Sequence, residues 1–192
     1  MKLTEKKLES SLIYEGHIIT VRRDTAELPD GKRAFREVVE HPGAVAVLPL
    51  DDGGNVIAVR QYRYPLGKVL LEVPAGKLDP GEDPRLCALR ELEEETGLVP
   101  RTLVCLGCLY SSPGFCNEVI HLYLARGLQE GCAHPDQDEF LERQTVPLSV
   151  LVDEVMRNGI HDAKTVAAVL KTNLWLSRGN GGTQDGQDHP DC

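Results

Sequence analysis

Four glutamates, Glu82, Glu91, Glu94 and Glu95, stand around one arginine, Arg90, in the segment GKLDPGEDPRLCALRELEEETGL that runs from Gly76 to Leu98. Carboxylates gathered this densely suit a hard cation such as Mg²⁺, which takes oxygen ligands and commonly grips substrate phosphates at the same time. The flanking residues predict a short helix. Asp83 is a good N-cap, Pro84 fits the first helical position where its missing N–H is harmless, and Gly97 suits a left-handed stop. At roughly 100° per residue, Glu91, Glu94 and Glu95 share one face, and Leu86, Leu89 and Leu92 fall on the opposite face and are expected in the core. The glutamates then lie near the helix C-terminus, where the macrodipole disfavours each by roughly 0.3–1 kcal/mol. Arg90 offsets only part of this repulsion, so a bound cation is expected. The plain alternative is a solvated acidic helix face.

The elements that must carry this helix read as a mixed sheet with a few helices. Strand-like stretches lie within Ile13–Leu28, and Pro29-Asp30-Gly31 turns the chain into a strand near Ala34–Glu40. Gly43–Leu50 is a short apolar run of the kind buried on both faces of a sheet. Asp51-Asp52-Gly53-Gly54 leads into a strand over Val56–Tyr62. After the acidic helix, Leu103–Leu109 and Val119–Ala125 read as strands, joined by a loop with Ser112-Pro113-Gly114-Phe115. Residues 129–138 read as a polar loop, and Phe140–Val146 as a last strand. Helices are expected over Leu148–Arg157, stopped by Gly159, and over Ala163–Ser177 with Asp162 as N-cap. Residues 178–192 lack hydrophobic side chains and are expected to be disordered.

The bulk properties bound the function. A chain of 192 residues fits one domain with a sizeable core, or one domain and a short appendage. A net charge of −9 argues against nonspecific nucleic-acid or anionic-membrane binding, and forces basic groups to be concentrated wherever an anion binds. No run approaches membrane-spanning length and the first residues have no signal-type apolar stretch, so a cytoplasmic location is the expectation. Of six cysteines, Cys105 and Cys108 form a lone CxxC. Three residues apart on a strand they face opposite ways, so buried structural thiols are expected rather than a zinc or redox site.

The acidic segment matches the Nudix box at every specified position: Gly, five residues, Glu, seven residues, Arg-Glu-aliphatic, one residue, Glu-Glu, one residue, Gly-aliphatic. The chain resembles a Nudix pyrophosphohydrolase. Around the box, EHPGAVAVLPL, VRQYRYP, LLEVPAGKLDPGEDP, SPGFCNE, DQDEFLE and GIHDAKTVAAVL resemble the ADP-ribose pyrophosphatase branch, over roughly residues 36–170. Pro113, sixteen residues beyond Gly97, fits a marker of that branch. The resemblance implies an α+β fold, the Nudix α/β/α sandwich with a mixed sheet (residues 43–177), preceded by a small N-terminal β subdomain (residues 1–42). It also implies a homodimer.

By resemblance the reaction is metal-dependent hydrolysis of ADP-ribose to AMP and ribose 5-phosphate, with Mg²⁺ the first choice of cofactor and Mn²⁺ the second. Glu91, Glu94 and Glu95 are carried over as metal ligands, joined by the Ala75 carbonyl, with Glu82 as a further ligand or a group behind the ligands. Arg90 would orient the glutamates. Glu139, in the stretch DQDEFLE with Asp138 and Glu142 as its neighbours, matches the region that supplies the general base. Arg63 matches an arginine that contacts the pyrophosphate, a task a guanidinium fork performs well. Arg60 falls off that face and is read as a surface ion-pair partner. Arg36 and Glu37 match adenine-contacting positions, although Phe35 and Arg36 stand where some relatives place a tryptophan. Glu118 and Gly114 match positions near the substrate. The lone tryptophan, Trp175, is assigned to the core or a dimer interface.

Three other readings remain in view. A broader ADP-sugar or GDP-mannose pyrophosphatase would share the box and its surroundings. A cleanser of damaged nucleoside triphosphates is disfavoured by the Pro113 loop, and a noncatalytic ADP-ribose-binding sensor by the complete set of box glutamates.

Overall fold

The computed structural model describes residues 3–134 and 140–179. Glu139 and Asp138, and the polar tail from residue 180 onward, lie outside the described residues.

The chain divides into two compact units, Met1–Gly43 with Tyr110–Val119, and Ala44–Leu109 with Ile120–Cys192. The first carries an antiparallel three-stranded sheet of β1 (Lys6–Glu15), β2 (Thr20–Glu27) and β3 (Arg33–Glu40) in that order. β1 begins well before Ile13: Leu8 is the one apolar side chain in KKLESS, so an alternation-based reading has no pattern to detect there. The loop 110–119 joins this unit through backbone pairing: the Val39 N–H donates to the Phe115 carbonyl at 2.7 Å, and the Asn117 N–H to the Val39 carbonyl at 3.1 Å.

The second unit is built on β4 (Ala44–Leu50), β5 (Asn55–Arg63), β6 (Lys68–Glu72), β7 (Ala75–Lys77), β8 (Leu98–Tyr110), β9 (Val119–Glu130) and β10 (Leu141–Pro147). The strand order is β10-β5-β4-β9-β8, with β6 paired to β5 and β7 to β4. β4 and β9 run parallel, the other assigned pairs of β4 and β5 antiparallel, so the sheet is mixed. The short β6 and β7 flank Pro74 and escape a pattern search because neither is long enough to show a period. β9 continues through Glu130, so the polar stretch from Gln129 is partly strand rather than wholly loop.

Three helices complete the unit: α1 (Pro84–Thr96), α2 (Leu148–Met156) and α3 (Ala163–Ser177). Residues on β4 alternate between two cores. Val45 and Val47 join Cys87, Ala88 and Leu92 of α1, while Ala46, Leu48 and Leu50 join Leu151 of α2 and Ala168 and Val169 of α3. That is the α/β/α sandwich. Trp175 packs at the margin of the α2–α3 core. After α2 the left-handed residue is Asn158, at φ 60°, rather than Gly159. No helix among the described residues is long and apolar enough to cross a membrane.

Two expectations need correction. Leu86 is 61% exposed, and Cys87 and Ala88 take the inward positions instead, so the buried face of α1 is turned by about one residue from the leucine stripe. Of the free thiols among the described residues only Cys87 is buried; Cys108 and Cys116 are partly exposed and Cys132 is exposed.

Candidate functional site in the second unit

Helix α1 forms as its caps dictate. The Asp83 carboxylate accepts from the N–H groups of Arg85 and Leu86 at 2.8 and 3.2 Å, Pro84 opens the helix, and Gly97 closes it at φ 69°. Before it, the turn at residues 79–82 is tied by the Asp79 N–H donating to Glu82 Oε2 at 2.9 Å.

Arg90 is the hub of the carboxylate cluster. Its Nε and Nη2 donate to the two oxygens of Glu82, both at 3.0 Å, and its Nη1 donates to Glu91 and Glu94, each at 2.9 Å. The i,i+4 pair with Glu94 is therefore one of three. The Arg90 hydrogen bond holds Glu82 down to a pKa of about 2 against the opposing effect of burial. The same pairing pushes Arg90 further up. Burial, with Glu82 alongside, pushes the Cys87 thiol up and keeps it inert.

Glu95 sits deeper, 8% exposed, and Oε2 of its carboxylate accepts from the Ala75 N–H at 3.2 Å. The neighbouring Glu91 carboxylate lies against Gly76, where an added Cβ would fall 1.9 Å from its Cδ. Only glycine allows β7 this close to α1. Three carboxylates and the backbone of residues 75–76 are thereby brought to one edge of the unit. All these donors are oxygens, which fits a hard divalent cation. Among the described residues, however, no three acidic, His or Cys side chains already converge as a metal cage, because Arg90 holds two of the glutamates.

Beside this cluster is a second one that the sequence did not reveal. Glu72, at the end of β6, is 1% exposed. Oε1 and Oε2 of its carboxylate accept from Arg63 Nε and Nη2 at 2.8 and 2.6 Å, and Lys164 of α3 also donates to Oε2. Lys164 donates in addition to Asp162 Oδ1 at 2.9 Å, while Asp162 Oδ2 caps α3 by accepting from the Thr165 N–H at 2.9 Å. Burial acts to raise the Glu72 pKa, but Arg63 and Lys164 together hold it below the ordinary carboxylate value. The hydrogen bond to Glu72 likewise raises Arg63, with the charges of Asp162 and Glu95 adding to it. A glutamate in an apolar run such as LLEVPAG is a signal of this kind of burial, and it went unread. Arg60 donates across strands to the Gln144 amide oxygen at 2.8 Å, so it takes a neutral acceptor rather than the expected ion-pair partner.

All but Glu142 of the remaining described residues singled out by sequence belong to the first unit. Arg36 forms a forked pair with Glu5, at 2.9 and 2.6 Å. Glu37 lies opposite Arg23 in the β2–β3 register, and Arg23 stacks on the exposed Phe35 ring at 5.4 Å. Glu118 lies 3.5 Å from His41 Nδ1. Nothing approaches the place of a Cβ on Gly114, so packing does not demand glycine there. Glu142, on β10, faces Arg60 in the register and is exposed.

Comparison with known proteins agrees with this architecture. Residues 40–169 match the NUDIX domain, and residues 5–39 match the nucleoside diphosphate sugar hydrolase N-terminal domain. A protein of Bacillus methanolicus named methanol dehydrogenase activator is 44% identical over 167 residues, covering 86% of this chain and 90% of that one. An ADP-ribose pyrophosphatase of Bacillus subtilis (strain 168) is 44% identical over 169 residues, covering 87% of this chain and 91% of that one. A solved structure described as an ADP compounds hydrolase superposes with a TM-score of 0.83 at 25% identity, covering 95% of this chain and 100% of that one. The complete box, the sandwich that carries it and these relatives agree: the chain belongs to the Nudix hydrolase family.

Proposed function

We propose that this protein hydrolyses ADP-ribose to AMP and ribose 5-phosphate. The observation that carries the reading is the Glu91–Glu94–Glu95 cluster set against Ala75 and Gly76, in a chain 44% identical to an ADP-ribose pyrophosphatase along most of its length. Glu91, Glu94, Glu95 and the Ala75 carbonyl would hold the divalent cation, Mg²⁺ first and Mn²⁺ second, with Glu82 behind them. Such an ion supplies charge neutralisation on the diphosphate and lowers the pKa of water. The chain's own contribution is position and field, which phosphoryl transfer chiefly requires. Arg90 holds the carboxylates of Glu91 and Glu94 in line. Arg63 presents a fixed guanidinium to a phosphate oxygen. Glu139 is proposed to take the proton of the attacking water, while Arg36, Glu37, Gly114 and Glu118 are proposed to contact the nucleoside and sugar.

A broader nucleoside diphosphate sugar specificity is the second reading, favoured by the match of residues 5–39 to the N-terminal domain of such hydrolases. We further propose a cytoplasmic homodimer. Among the described residues of the first unit Ala26 is the sole buried apolar one, while Leu12, Ile13, Tyr14, Ile18 and Phe35 are each more than half exposed, which supports cover by a second copy. Light scattering tests it; a single-copy mass would remove the homodimer.

The deciding experiment is a product assay with ADP-ribose, ADP-glucose, GDP-mannose and 8-oxo-dGTP, each with Mg²⁺ and with EDTA, beside Glu95→Gln. Preferential metal-dependent release of AMP from ADP-ribose, lost in the variant, is expected. Faster turnover of another substrate would move the specificity; tight ADP-ribose binding without turnover would replace the enzyme by a sensor.

A further inference from the structure

The Glu72 cluster contains a largely covered cation that the proposed chemistry leaves unused. Lys164 is only 12% exposed, and it donates to Glu72 and Asp162 together. Its neighbours do different jobs: Asp162 and Thr165 cap α3, and the Val73 N–H donates to Thr165 Oγ1 at 3.0 Å, which fixes α3 onto the chain between β6 and β7. Lys164 is not needed for either contact. Its charge falls instead on the carboxylate that grips Arg63.

We infer that Lys164 is a positioning residue for anion recognition: acting through the buried Glu72, it keeps Arg63 fixed and its outward guanidinium edge electrically positive. Glu72 takes the Nε and Nη2 side of Arg63, so the Nη1 side of the fork turns away from it, and the Arg63 side chain is 36% exposed. Asp162 completes the cluster, so with Lys164 present its two cations and two carboxylates balance. Without Lys164 the cluster carries one net negative charge, and Arg63 is left as sole counterion of Glu72, a carboxylate that has almost no access to water. A phosphate oxygen approaching the Arg63 edge then meets that uncompensated negative charge. This inference rests on the reading of Arg63 as a diphosphate contact, and it assigns Lys164 no contact with the substrate itself.

Lys164→Met, Glu72→Gln and the double variant test it. For ADP-ribose, Lys164→Met is expected to raise KM about tenfold with kcat within about threefold, the split that marks lost binding common to ground and transition states. Because Lys164 acts through Glu72, adding Lys164→Met to Glu72→Gln should raise KM no further. Equal KM in wild type and Lys164→Met, or full additivity in the double variant, would overturn the inference. A second readout needs no turnover: the Nε–H resonance of Arg63, assigned by its absence in Arg63→Lys. Its solvent exchange should be at least about tenfold faster in Lys164→Met than in wild type, since burial and pairing set the protection. Unchanged exchange in a variant that retains the wild-type circular dichroism would also overturn it. Should wild type fail to cleave ADP-ribose while the resonance behaves as expected, the substrate assignment falls and the Lys164 linkage stands.

Discussion

The two polar clusters of the second unit use the same groups in inverse proportion. At α1 one arginine serves three glutamates, and at β6 one glutamate serves an arginine and a lysine. The first is anion-rich and open at the edge of β7; the second, closed by Asp162, is charge-balanced and almost dry. An excess of carboxylate is stable only where water or a cation can reach it, whereas a buried carboxylate must have its counterions built in. The first arrangement leaves coordination to be completed from outside, and the second is complete except at the outward edge of Arg63.

If that contrast is right, substitutions should affect different observables. The largest effect belongs to the open cluster: Glu95→Gln should lower kcat for ADP-ribose by about 10³-fold with little change in thermal stability. Kinetics and a melting curve on one preparation check this, and an active variant would remove Glu95 from the metal set. In the closed cluster the loss should be in stability. Glu72→Ala strands Arg63 and Lys164 and should cost about 3–5 kcal/mol in urea unfolding. A loss below about 1 kcal/mol would mean that water reaches the pair.

Gly76→Ala probes the boundary between catalysis and scaffold. The new methyl displaces the Glu91 carboxylate, and kcat should fall about 10²-fold through misplacement of a group by roughly an ångström. Smaller still is the pH effect of Glu82. Its folded pKa of about 2 lies below its ordinary 4.5, so its pairing with Arg90 stabilises the fold above pH 4.5 and is lost as pH falls toward 2. The melting temperature of Glu82→Gln should therefore drop less than wild type across that interval. At the bottom of the scale, Leu86→Ala should change stability by about 0.5 kcal/mol or less, against about 2–5 kcal/mol for the fully buried Leu92→Ala.

The leucine pair also shows where reading the chain reached its limit. Caps are local, so Asp83, Pro84, Gly97 and Asp162 are legible from neighbouring residues alone, and the helices they bound appear as expected. Which side of α1 faces inward is decided by the sheet beneath it: Leu92 is buried as expected, but Cys87 and Ala88 rather than Leu86 fill the inward positions of the first turns. The box glutamates were legible because their spacing is fixed within one helix. The Glu72–Lys164 pair was not, because its partners stand 92 residues apart and meet only through tertiary packing. β7 was hidden for a similar reason: three residues become a strand only because β4 pairs with them.

β4 carries a constraint on how this protein can change over time. Its consecutive side chains are committed to opposite layers, and its backbone holds β7 in register at Ala44, Val45 and Ala46. Inserting or deleting a single residue within β4 would exchange the two layers wholesale and carry Ala75 and Gly76 out of line with α1. Length variation should therefore be purged from β4 and collect at exposed turns such as Pro29–Gly31, while β4 itself drifts only by swapping one small apolar residue for another.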